Sequence, residues 1–155
     1  MPVLVKDQQI VADPWQLLES IPDYVPDNAI VPINQLSNTN ANGAWVEGDL
    51  EVDDFGEELA KLDLVAVHFP MFADGRGLSL GSLLRSRYGF EGELRAIGEV
   101  QPDLTPFMHR CGFDAFVLEN ELAAKTAIQC MASMSDFYQG SVIQPEPAYR
   151  RKHSH

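Results

Sequence analysis

Leu64 to Phe69, LVAVHF, is a nearly continuous apolar run of strand length, broken only at His68. A short strand with no polar alternation fits burial on both faces, as in a parallel sheet. The residues around it repeat the pattern. Ala44-Trp45-Val46 reads as a short strand. Asp53 or Asp54 caps a helix through Lys61, with Phe55, Leu59 and Leu62 on one side. Leu78 to Tyr88 has Leu80, Leu83, Leu84 and Tyr88 near helical spacing, and Gly89 ends it. Glu93 to Val100 is a strand, and Pro102 or Asp103 opens a helix that stops at Gly112. Asp114 to Leu118 is a further strand. Asn120 caps a last helix with Leu122, Ala123, Ala127, Cys130, Met131 and Met134 on its apolar side. Residues 44–137 therefore read as repeated βα units, which imply a mainly parallel sheet with right-handed crossovers.

The chain has 155 residues, too few for a complete eight-fold barrel. The expected fold is α/β: a small, mainly parallel sheet, open or half-barrel-like, in one domain over residues 1–140. Residues 1–43 form an irregular N-terminal part. In it, Val3-Leu4-Val5 and Gln9-Ile10-Val11 make a β-hairpin around Lys6-Asp7-Gln8. Asp13-Pro14-Trp15 opens a short helix through Ser20. Ala29 to Leu36 holds a short strand, with Pro32 arguing for an edge. Ser37 to Gly43 is a turn-rich loop. The tail, residues 141–155, reads as disordered.

The net charge of −12 argues against nucleic acid and anionic membranes as partners, since both repel an acidic surface. No apolar run is long enough to span a bilayer. The opening MPVLVKDQQIVADPW lacks the basic start and apolar stretch of a signal peptide, so the expected location is cytoplasmic. Cys111 and Cys130 have no metal-binding spacing, and no metal or iron–sulfur site is expected. His68, inside an apolar strand, reads as a hydrogen-bonded core histidine.

Five of the eleven basic residues are the arginines Arg76, Arg85, Arg87, Arg95 and Arg110. Arginine suits fixed, bidentate contacts to oxyanions. The plainer alternative is that they pair with Asp74, Glu91, Glu93, Glu99 and Asp103. Where the LVAVHF strand ends, Asp74-Gly75-Arg76-Gly77 stands before a helix. Loops at the C-terminal ends of parallel strands are where ligands bind in such folds. The glycines permit close approach, Ser79 is placed to cap the helix, and a helix N-terminus favours an anion. The candidate anion site is therefore Asp74, Gly75, Arg76, Gly77 and Ser79, with Arg95 in support. Its ligand is a small oxyanion such as sulfite, sulfate or phosphate. Two other readings compete. Asp74 pairs internally with Arg76 or Arg95 and only pins the turn. Or Gly75, Gly77 and Gly81 form a nicotinamide-nucleotide loop with Glu99 as the ribose acid, although the glycine spacing is one residue too long.

The segment FPMFADGRGLSLGSLLRSRYGFEGELRAIGEV, followed by RCGFDAF, spans Phe69 to Phe116. It resembles a bacterial family known as domain of unknown function 934, whose hallmark is FPxFxDGRG, a serine, LLRxRxGxxGELRAxG and RxGFDAF. The chain departs from that pattern at Leu78, where tyrosine is common, and at Glu99 and Gln101 to Leu104. The family is often labelled an oxidoreductase of sulfite reduction. The resemblance thus implies an accessory protein of assimilatory sulfate and sulfite reduction, partnered with sulfite reductase or another sulfur-assimilation protein. The alternatives are an oxidoreductase with a nicotinamide nucleotide at the DGRG loop, and a non-catalytic protein-interaction module.

Overall fold

The structure, a computed structural model, describes residues 1–70 and 75–139, with side chains as far as Ser133. It is α/β. Strands β1 (Val3–Lys6), β2 (Gln9–Val11), β3 (Gln16–Leu17), β4 (Ala29–Pro32) and β5 (Gly43–Glu47) come first. Then follow α1 (Val52–Leu59), β6 (Leu64–Phe69), α2 (Gly75–Ser86), β7 (Glu93–Gly98), α3 (Thr105–Arg110), β8 (Ala115–Leu118) and α4 (Glu121–Gln139). All eight strands share one sheet, in the order β2-β1-β8-β7-β6-β5-β4-β3. From β3 to β8 the pairing is parallel and sequential. β1 runs antiparallel to β8 and β2 antiparallel to β1.

Neighbouring strands joined by right-handed crossovers place their helices on the same side of the sheet. Val65, Val67 and Phe69 of β6 accordingly join Leu80 and Leu84 of α2, Met108 of α3 and Ala124, Ala127 and Met131 of α4 in the main core. Each such large apolar side chain contributes about 1.5–3 kcal/mol when buried. The other face of β6 is buried too. Leu64 and Ala66 form a second cluster with Ile30, Ile97, Trp15 and Trp45, and no described helix packs in that cluster.

Sheet curvature supplies the cover of that face. Laid flat, seven strand spacings of about 4.8 Å would set the outer strands roughly 34 Å apart. Yet the chain leaves β2 at Val11 and enters β3, on the opposite edge, at Gln16. Five extended residue steps reach at most about 18 Å. The sheet must therefore curl into an open half-barrel, and Ala12 to Trp15 forms a strap between its two edges. Trp15 drops from the strap over Gly43, where an added Cβ would stand 3.0 Å from the indole. Asn28 ties down the strap by donating from Nδ2 to the Pro14 carbonyl.

The expected hairpin is present. Asp7 and Gln8 both have positive φ, 55° and 60°, as a two-residue turn matching strand twist requires. Other details differ from expectation. Residues 14–20 form no helix, because the strap must stay extended to cross the opening, and Gln16–Leu17 pair with Ala29–Ile30 instead. β4 is second from the edge, but its pairing with β3 stops at Ile30, so Pro32 has no register partner on that side. Residues 33–38 turn as a 3-10 helix rather than continuing as a strand or loop. Leu122 is 75% exposed, and Ala124 takes its place in the core. The tail beyond residue 139 lies outside the described residues.

Candidate functional site

Parallel register and the two-residue period stack the inner face of the half-barrel in three tiers. Gly43, Leu64 and Glu93 lie lowest, at the N-terminal ends of the strands. Trp45, Ala66 and Arg95 come next, and Glu47, His68 and Ile97 lie at the C-terminal mouth.

The lower part is closed. Arg95 is 2% exposed. Its Nε donates to Glu93 Oε2 at 2.8 Å and its Nη1 to Asp13 Oδ2 at 2.8 Å. Glu93 Oε1 accepts from Lys6 Nζ at 2.9 Å. The Glu93 carboxylate holds the Lys6 ammonium above its ordinary range. This network joins the strap, β7 and β1 into one unit. Arg95 thus faces the lower end and the strap, and the structure does not bring it together with Gly75 to Ser79.

Two other arginines pair with acids outside the expected set. Arg85 is buried at the C-terminal end of α2. It donates from Nε to the Gly112 carbonyl at 3.0 Å and from Nη1 to Phe90 and Gly92 at 3.0 and 2.8 Å. Its Nη2 lies 3.5 Å from Asp114 Oδ2. Burial pushes the Asp114 carboxyl up to about 6, against the opposing pull of Arg85 and the Leu94 amide. Arg87 pairs with Asp53 of α1 at 2.8 Å. These contacts are structural staples between helices and strand ends.

The mouth differs. α2 starts at Gly75, so Gly75, Arg76 and Gly77 form its first turn and Ser79 lies inside the helix rather than capping it. Close packing overrides the poor helix propensity of glycine here. A Cβ at Gly77 would stand 2.5 Å from the Phe69 ring, so only glycine lets α2 settle on the end of β6. Gly75 and Arg76 are exposed, and a Cβ on Gly75 would meet nothing within 4 Å. No acidic residue occupies the first turn. Asp74 lies outside the described residues.

Beside this turn stands a pair that sequence reasoning missed. His68 Nδ1 lies 2.9 Å from Glu47 Oε2. The carboxylate accepts, so Nδ1 carries the proton. Both side chains face solvent in part, at 35% and 50% exposure, so His68 is not the core histidine expected. The indole of Trp45 meets the imidazole edge-on, with ring centroids 6.3 Å apart. Gly98 has φ +89°, and a Cβ there would fall 3.0 Å from His68 Nε2. A side chain at 98 would displace the ring. Gly48 links pair and helix: its amide donates to the His68 carbonyl at 3.2 Å, and its added Cβ would stand 3.1 Å from Gly77 Cα. The signal in the sequence was parity. His68 alternates with Val67 and Phe69 and shares the face of Leu64 and Ala66.

Among the described residues no group of three or more His, Cys, Asp or Glu could hold a metal ion, and no helix is long and apolar enough to cross a membrane. Gly81 packs against Phe113 and Leu94, where a Cβ would stand 2.6 Å from the Phe113 ring. Close packing of α2 on β7 and on the turn before β8 gives that glycine a structural role.

Fold and mouth together define an α/β half-barrel protein with a glycine-rich helix start and a His–Glu pair at the C-terminal ends of its strands. The family model described as bacterial protein of unknown function (DUF934) matches residues 43–149, beginning at the first residue of β5, and the chain belongs to that family. No curated protein and no solved structure matches it.

Proposed function

We propose that the protein binds a small oxyanion at the first turn of α2 and serves in the cytoplasm as an accessory of sulfite reduction, beside sulfite reductase or another sulfur-assimilation protein. One observation carries the binding site. The first turn of α2, with Gly75 and Arg76 exposed, Gly77 buried and no acidic residue among them, lies at the end of β6. A helix leaves its first four amides without intrahelical partners and carries partial positive charge there, which favours an anion. Arg76 adds a guanidinium suited to oxyanion geometry. The sulfur chemistry comes from the resemblance and from no feature of the fold.

Thermal unfolding with sodium sulfite, sulfate, phosphate and nicotinamide nucleotides tests this reading. A ligand at one hundred times its Kd stabilises by about 2.7 kcal/mol. Sulfite is expected to raise Tm, and Arg76→Ala to remove most of that rise. Stabilisation by a nicotinamide nucleotide and by no oxyanion would replace this reading with the cofactor-dependent one. No response to any ligand, with co-purification of a partner protein, would favour the interaction module.

A further inference from the structure

The first turn of α2 leaves the Glu47–His68 pair unused. We propose that this pair is a proton-exchange site for an oxyanion that carries an O–H, with hydrogen sulfite as its representative. For the ligand class this rests on the oxyanion reading above.

The geometry has four parts. Glu47 fixes the ring by accepting from Nδ1 at 2.9 Å, which leaves Nε2 as the basic nitrogen of the neutral imidazole. Nε2 flanks Gly98, which is exposed and has no side chain to block it. Trp45 walls the ring on another side. Gly48 sets the strand end that bears the pair against the first turn of α2. The mouth of a parallel sheet is also where such folds place their chemistry. Among the described contacts of the ring, Glu47 on β5 is the charged one. Gly98 on β7 brings no charge, and Trp45 brings a neutral indole in T-shaped contact.

The step needs no oxidant or reductant. The O–H bond of the oxyanion breaks and an N–H bond forms at His68 Nε2. The electron pair stays on the oxyanion, which gains one negative charge. The imidazolium is then held between that anion and the Glu47 carboxylate. A carboxylate that orients a histidine and stabilises its charged form is a general acid–base arrangement.

Nitrogen NMR of the full chain tests this directly. In the free protein with a neutral imidazole, Nδ1 is expected to carry the proton and Nε2 to be bare. Adding sodium sulfite at constant pH should move the Nε2 resonance toward the protonated position, and Glu47→Gln should lose that response. Protonation at Nε2 in the free protein would overturn the proposal. So would movement of the Gly75 to Gly77 amides with sulfite while the His68 nitrogens stay still, a result that leaves the oxyanion reading standing. If neither amides nor nitrogens respond, both fail. If His68 responds and the amides do not, the proton-exchange site stands and the α2 site falls.

Discussion

The inner face of the half-barrel carries polar side chains at both ends, and the ends differ in what they leave open. At the lower end Arg95 is sealed between Glu93 and Asp13. At the mouth Glu47 and His68 hold each other in partial contact with solvent. One sheet bears both groups: Glu93 and Arg95 stand on β7, Glu47 on β5 and His68 on β6. A charge that is buried must satisfy its partners within the fold, whereas one at the strand ends can offer an atom to a ligand. Degree of burial, more than residue type, separates structural from chemical roles here.

The largest effect that would sharpen this contrast is at Arg95. Arg95→Met removes the buried partner of Glu93, which keeps Lys6, and of the part-exposed Asp13, and is expected to cost about 3 kcal/mol in urea denaturation, the low end for a buried pair. His68→Gln, which breaks a half-exposed pair, should cost less than about 1 kcal/mol. Equal losses would erase the distinction between floor and mouth. Next comes Gly98→Ala. Its Cβ would stand 2.4 Å from the Phe69 carbonyl at a φ of +89°, and strain of this kind costs about 1–3 kcal/mol. Thermal unfolding measures the loss, and the Trp45 fluorescence should change with it as the His68 ring shifts. An unchanged Tm would mean that the close packing at the mouth does not hold in solution.

The smallest effect is one of pH. Asp114 is raised from 3.8 to about 6, chiefly by burial. Between those values the folded protein holds more protons at this site than the unfolded chain. This carboxyl therefore makes stability fall as pH rises through that window. Its side chain keeps 31% exposure, which limits the size of the effect. Denaturation midpoints across the window, compared with those of Asp114→Asn, should show the falling component only in the parent protein. A component that rises with pH would contradict the assigned environment.

Much of the architecture was legible because periodicity reports burial. LVAVHF, ELRAIG and DAFVL each announce a strand, and Gly89 and Gly112, both with positive φ, end the helices between them. The strap was not legible. Two residues of strand pairing at Gln16–Leu17 leave no pattern, and only the closure of the sheet makes Asp13-Pro14-Trp15 extended. The start of α2 was misjudged because Gly75 and Gly77 read as loop residues, while Gly77 is seated tightly against Phe69 and Gly48 in the first turn of the helix. Arg85 and Arg95 could not be told from Arg76 by type. What separates them is depth: backbone carbonyls surround the first, Glu93 on the same strand and the distant Asp13 hold the second, and the third is exposed. Glu47 and His68 lie twenty-one residues apart in sequence, and only the parallel register of β5 and β6 joins them.

The claim that the mouth is the functional end is tested most directly by amide chemical-shift mapping during a sodium sulfite titration. The account predicts saturable shifts at Gly48, Gly75, Arg76, Gly77 and Gly98, with Glu93, Leu94 and Arg95 unmoved. Shifts centred on Asp13, Glu93 and Arg95, or no saturable shift anywhere, would contradict it.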